Sequence, residues 1–163
     1  MSDREHRYML AAAAQAEAAR RMGEVPVGAV VVREDRVVAR GHNRVIRDAD
    51  PTAHAEIVAL RRAGRRSGNY RLTGAEVFVT LEPCLMCYSA MVHARIGRLV
   101  YSAADPKTGV FSTGVFERVR GAYNHRIEVK AGILEARSAK RLKEFFIERR
   151  DAGAVERDGL ENR

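Results

Sequence analysis

Residues 75–103 read AEVFVTL, then EPCLMCYSAMVHARIG, then RLVYSA: a run of β-formers, a Glu-Pro break that opens a helix, and a second run of β-formers. Strand, helix, strand is a βαβ unit, and its two strands lie parallel because the crossover is right-handed in nearly all known folds. No stretch of this chain constrains its architecture more. A parallel pair has to be covered on both faces, which commits the surrounding segments to an α/β arrangement.

Those segments supply the cover. Residues 4–22 are Ala-rich with interspersed Glu and Arg, the composition of a helix former, expected to pack through Tyr8, Leu10 and the small alanines. EVPVGAVVVREDRVVARGHNRV predicts a hairpin of two strands, 25–32 and 36–41, joined by the polar turn Arg33-Glu34-Asp35. DADPTAHAEIVALRRAG carries helix-start signals, with Asp50 as cap, Pro51 at the first helical position and Gly64 closing it, so this helix is expected to begin just upstream of His54. Residues 104–126 have room for a connecting helix before a last strand, IEVKAG. ILEARSAKRLKEFFIERR predicts an amphipathic C-terminal helix anchored by Leu134, Leu142, Phe145 and Phe146, and residues 151–163 read as a polar, frayed tail. With 163 residues, 46% of them apolar, and no internal repeat, the expected fold class is one three-layer α/β/α domain over residues 1–150, large enough to bury a core without staples.

The helix of the βαβ unit begins with the chain's only cysteines, Cys84 and Cys87. Pro83 puts both in the first turn, where positions i and i+3 share a face, and the positive end of a helix favours thiolate over thiol. No cleavable leader and no bilayer-length apolar span occurs, because the most apolar stretches are short or interrupted by Arg, so the chain is expected to be cytoplasmic, with no membrane partner. In a reducing compartment a neighbouring thiol pair is more often metal-binding or catalytic than bridged. A lone CxxC fits a redox pair and a metal site equally well, with two buried thiols as the plain alternative.

The second Pro-initiated segment, PTAHAE, adds His54 and Glu56. A histidine among alanines is by itself more often a core or surface residue than a ligand. Two positions apart in mid-helix, His54 and Glu56 would point to different sides; at a first turn, one can bind a metal off the helix end while the other approaches from the side. His54, Cys84 and Cys87 then make three zinc ligands and leave the fourth position for water. The pattern H-x-E…P-C-x-x-C is the established signature of zinc nucleobase deaminases, so this is a match to a known pattern. In it, zinc on His54, Cys84 and Cys87 lowers the pKa of its water, and Glu56 takes that proton and delivers it to the ring nitrogen and then to the leaving amine.

A net charge of +8 and a pI near 10.1 favour a polyanionic partner, although a solvated basic face gives the same totals. The order and spacing of EVPVGAVVV, GHNRVI, DPTAHAEIVALR, NYRL, VTLEPCLMC, ARIGRLVYSAADPKTG, NHRIEV and EFFIERR go further. Over almost its whole length the chain resembles bacterial tRNA-specific adenosine deaminases, which convert adenosine to inosine at the anticodon wobble position. The resemblance implies a cytidine-deaminase-like, five-stranded mixed sheet between helices with its last two strands parallel, one Zn2+ per chain, and a homodimer whose two subunits build each tRNA site. It also implies that Val27 and Asn43 line the nucleoside pocket with Leu81 nearby, that Asp105 and Lys107 border the extruded anticodon loop, and that Phe146, Arg149 and Arg150 meet neighbouring nucleotides. Aromatic and Arg side chains suit that last role, since single-stranded RNA bases stack on both.

The chain also departs from the family pattern near the substrate side. Phe111 and Phe116 bulk out the segment after DPKTG, His42 stands where Trp is common, and Ile147-Glu148 interrupts the basic terminus. Two further readings therefore stand beside the first: a deaminase of a free base or nucleoside of the guanine or cytosine type, and a catalytically silent, zinc-stabilised RNA-binding module. Glu56 speaks against the latter.

Overall fold

In the computed structural model, which describes residues 2–161, the chain runs α1 (Asp3–Arg21), β1 (Gly28–Arg33), β2 (Arg36–His42), α2 (Ala55–Ser67), β3 (Glu76–Leu81), α3 (Leu85–His93), β4 (Arg98–Ala103), α4 (Val115–Val119), β5 (Glu128–Ala131) and α5 (Glu135–Glu161). One five-stranded sheet has the order β2-β1-β3-β4-β5. β1 is antiparallel to both β2 and β3, whereas β3 and β4 are parallel, as the βαβ unit requires, and β5 is parallel to β4.

Alternation along the central strands sorts their side chains between two cores. Val31, Val77, Val79, Leu99 and Tyr101 pack with Ala59, Leu60 and Ala63 of α2 and Tyr88, Met91 and Val92 of α3. Val30, Val32, Phe78 and Val100 pack on the other face with Tyr8, Met9 and Ala12 of α1 and with Ile133. Both faces are apolar, which is why these strands read as continuous hydrophobic runs. The hairpin turns at Glu34 and Asp35, whose φ angles of 50° and 57° match the right-handed twist of the flanking strands.

Two glycines set how closely the helices approach. A Cβ on Gly28 would sit 2.1 Å from the Ala12 carbonyl oxygen of α1, and one on Gly41 would sit 2.4 Å from the Ala55 carbonyl oxygen of α2. The second contact seats the start of α2, and with it His54 and Glu56, directly on the sheet.

Several local expectations change. Leu10 is exposed and α1 packs through Tyr8, Met9, Ala12, Ala13, Ala16 and Ala19, because Met9, Ala12, Ala13 and Ala16 form the i, i+3, i+4, i+7 stripe and Leu10 falls beside it. α2 begins at Ala55 with His54 as its N-cap; Asp50 caps a preceding turn, accepting from the Thr52 N–H at 2.8 Å and the Thr52 hydroxyl at 2.7 Å. The helix runs through Gly64, since an interior glycine only weakens it, and stops at Gly68, whose φ of 66° is left-handed. Phe146, expected as a core anchor, is exposed, while Phe145 beside it is buried. α5 continues as helix through Glu161, beyond the tail boundary at 151, because DAGAVERDGLE holds no proline and mostly helix-compatible residues; residues 162–163 lie outside the described residues.

Candidate metal centre and cavity

Two helix N-termini meet at one end of the sheet. β3 ends at Leu81, Glu82 and Pro83 carry the chain out of the sheet, and Cys84 is the extended N-cap of α3 with no side-chain capping bond. His54 holds the same place on α2, also extended and also without a capping bond. Both side chains, released from capping, turn towards each other. His54 Nδ1 lies 3.7 Å from Cys84 Sγ and 3.5 Å from Cys87 Sγ, and the three ligand atoms all fall within 4.8 Å of one another.

The chemistry of this set fits a tetrahedral zinc. With Zn–S bonds of about 2.3 Å and Zn–N bonds of about 2.0–2.1 Å, the tetrahedral N···S edge is about 3.6 Å. The Cys84 thiol is drawn down to about 4, first because the Cys87 thiol donates to it and then through His54, while Cys87 is pushed far up by the same bond and by burial. His54 is raised, chiefly by its hydrogen bond to Cys84.

Glu56 sits one residue into α2, 4% exposed, and burial pushes its carboxyl up to about 7. A dication at the neighbouring ligand set would pull it back down, since an opposite charge nearby favours the carboxylate.

Above this group opens a cavity of ≈ 430 Å³. His54, Glu56 and Cys84 line it together with Val27, Asn43, Leu81, Asp105 and Arg149. Asn43 Oδ1 accepts the Ala55 N–H at 2.8 Å, so its amide NH2 remains as a donor for the cavity. A neighbouring groove of ≈ 420 Å³ is lined by Lys107, Phe146, Arg149 and Arg150, with Arg149 common to both spaces. The Arg149 guanidinium also stands over the Phe145 ring at 5.4 Å. All twelve site residues expected from the sequence thus fall in the ligand set, the cavity or the adjoining groove.

The departures lie elsewhere. Phe111 and Phe116 stack edge-on against Tyr88 at 5.5 and 5.6 Å and do not line the cavity. His42 is buried at the end of β2, its Nδ1 2.9 Å from the Asn43 carbonyl oxygen, and Glu148 pairs with Arg20. Sequence reasoning missed Glu24, Glu82, Thr108 and the apolar pair Val45-Ile46, which also border the cavity. For the two glutamates a signal existed, a carboxylate set within an apolar run in GEVPVGAV and in VTLEPC. Both are buried, and Glu24 accepts the Arg47 N–H at 2.7 Å.

Residues 2–103 match the family of the cytidine and deoxycytidylate deaminase zinc-binding region. The tRNA-specific adenosine deaminase of Agrobacterium fabrum is 45% identical over 150 residues, covering 92% of this chain and 98% of that protein. A solved structure from a study of A-to-I editing by tRNA:A34 deaminases at the wobble position of transfer RNA superposes with a TM-score of 0.80 at 44% identity, over 83% of this chain and 98% of that one. A guanine deaminase from Bacillus subtilis superposes with a TM-score of 0.59 at 31% identity, over 71% of this chain and 69% of that one.

Proposed function

Because the chain belongs to the tRNA-specific adenosine deaminase family of zinc deaminases, we propose that it hydrolyses adenosine to inosine at the wobble position of a tRNA anticodon, with residues 1–150 as the deaminase domain. The observation that carries this reading is the convergence of His54 Nδ1, Cys84 Sγ and Cys87 Sγ beside the buried Glu56 in the wall of the cavity. Bound by those three atoms, Zn2+ supplies a Lewis acid that brings the pKa of water towards neutrality. Glu56 accepts one proton of the attacking water and passes it to the purine ring nitrogen, then carries the proton left on the added hydroxyl to the departing amine. The C–O bond forms at C6 first, the C–N bond breaks once the amine is protonated, and ammonia leaves.

The other residues bind and orient. Val27 and Leu81 give the base apolar walls, and the Asn43 NH2 is a fixed donor for a purine acceptor. Asp105 shapes the loop at the cavity rim, accepting the Lys107 N–H at 3.0 Å, and Lys107 borders the extruded nucleotides. Phe146, Arg149 and Arg150 meet the flanking nucleotides, a role that suits an exposed aromatic ring beside cations in a chain of net charge +8.

The working form is a homodimer whose two subunits build each tRNA site. Supporting this, α2 and α3 leave an open groove of ≈ 730 Å³ lined by Ile57, Leu60, Leu72 and Ala90, with Tyr70 exposed at its edge. Its place is the cytoplasm, where its free thiols stay reduced and tRNA is at hand; among the described residues no helix is long and apolar enough to cross a membrane.

The likeness to a guanine deaminase favours a second reading, deamination of a free base. Purified zinc-loaded protein incubated with an anticodon stem-loop carrying a wobble adenosine, and separately with free bases and nucleosides, separates the two. Inosine in the stem-loop is the expected result; ammonia from free bases alone would sink the tRNA assignment.

A further inference from the structure

Glu82 stands between the last residue of β3 and Pro83, 2% exposed, and among the described residues no cationic side chain pairs with it. A buried carboxylate without a counter-ion persists only where other donors replace its water. Here they all come from one segment. Oε2 accepts from the Asp105 N–H at 2.8 Å and from the Ser112 hydroxyl, and Oε1 accepts from the Phe111 N–H at 2.8 Å and the Ser112 N–H at 2.7 Å. Four donors fill the carboxylate's usual acceptor capacity. The segment 105–112 is wrapped around an anion presented by the end of β3.

The backbone completes the lock. The Val110 N–H donates to the Pro83 carbonyl at 2.9 Å, the Glu82 N–H to the Ala103 carbonyl at 2.8 Å, and Cys84 forms an isolated antiparallel bridge with Gly109. A Cβ on Gly109 would lie 2.3 Å from the Glu82 carboxyl carbon and 2.5 Å from the Asp105 carbonyl oxygen, so the loop closes on Glu82 without space for any side chain there. The opposite side of the same loop borders the cavity through Asp105 and Thr108. The Asp105 carboxylate is itself spent on loop shape, taking the Lys107 and Thr108 N–H groups and the Thr108 hydroxyl.

We propose that Glu82 is a positioning residue that fastens the cavity-facing loop 105–112 to the segment bearing Cys84, so that the substrate wall and the ligand-bearing arm move as one piece. The inference rests on the deaminase reading and deepens it: Glu82 governs capture of the nucleotide, leaving the proton path through Glu56 untouched. An amide in its place keeps the shape but turns one acceptor into a donor facing loop N–H groups.

The test uses zinc-loaded full-length Glu82→Gln. The KM for the wobble-adenosine stem-loop should rise about tenfold or more, the factor that loss of one hydrogen bond to a charged group represents, while kcat stays within about threefold. Amide exchange in 105–112 should accelerate about tenfold or more, with zinc still at one per chain. Ser112→Ala, which removes a single donor from the carboxylate, should move KM and exchange the same way by less, and it carries the test if Glu82→Gln is not recovered folded. Unchanged exchange and KM in the variant that folds, or a fall in kcat at constant KM, overturns the proposal. A wild-type protein inert on the stem-loop would instead sink the tRNA-deaminase reading, and the exchange data would still judge the loop.

Discussion

At the scale of single residues, the site separates holding a metal from moving a proton. Glu56 shares the neighbourhood of His54, Cys84 and Cys87 but is not needed to complete a three-ligand zinc shell. Replacing it should therefore stop chemistry and leave the metal in place. In Glu56→Ala, inosine formation should fall by about 10²–10⁴-fold, the range for loss of a general acid–base, with elemental analysis still giving one zinc per chain. His54→Ala and Cys87→Ala should lose the zinc itself. Retained deaminase activity in Glu56→Ala would require another proton carrier. Undiminished zinc in both ligand variants would remove the site.

At the scale of elements, close backbone approach matters more than helix propensity. Gly28 lets α1 lie on β1, and Gly41 lets the start of α2 lie on β2, each with no room for a methyl group. Gly28→Ala and Gly41→Ala should each destabilise the fold by on the order of 3 kcal/mol in urea unfolding, since backbone on both sides must shift. Only Gly41→Ala should also weaken zinc in a competition titration, because the nearest atom it would displace is the carbonyl oxygen of Ala55, between His54 and Glu56, with the Ala59 backbone next. Equal zinc affinity in the two variants would count against α2 seating as the control on the ligand set. The same elements show where sequence reading succeeds. The βαβ unit and the hairpin were legible because turn formers and period-two runs are local signals, and the pairing of PTAHAE with PCLMC was legible because the two segments together match a known signature. The start of α2 was not: Pro51 is a valid helix opener, but the turn at Asp50 and the seating on Gly41 moved the cap to His54. Glu82 escaped because its four donors, on Asp105, Phe111 and Ser112, lie 23 to 30 residues further on and three of them are backbone N–H groups, which leave no side-chain pattern in the sequence.

At the scale of the whole molecule, the end of the sheet away from the cavity is tied by charge. Glu5 of α1 accepts from Lys130 of β5 at 2.7 Å and from Arg98 of β4 at 2.6 Å, and these partners, Lys130 first, hold its carboxyl down at about 2. A carboxyl whose folded pKa is depressed stabilises the protein fully above its ordinary value of 4.5 and loses that contribution as pH falls towards 2. The linkage amounts to at most ~3 kcal/mol. Urea midpoints should therefore drop between about pH 4.5 and 2 in the wild type and drop less in Glu5→Gln. Parallel declines in the two would exclude Glu5 as the acid-sensitive tie.

The cavity gathers its walls from stretches that begin at Glu24 and end at Arg149. His54 and Cys84 are only 30 positions apart and flank a compact part of the chain, whereas Arg149 belongs to α5, the last element in order. Synthesis runs from the N-terminus, and a domain generally folds as a unit. The three ligand residues are thus all synthesised before Arg149, and the basic wall is the last part of the cavity to be made.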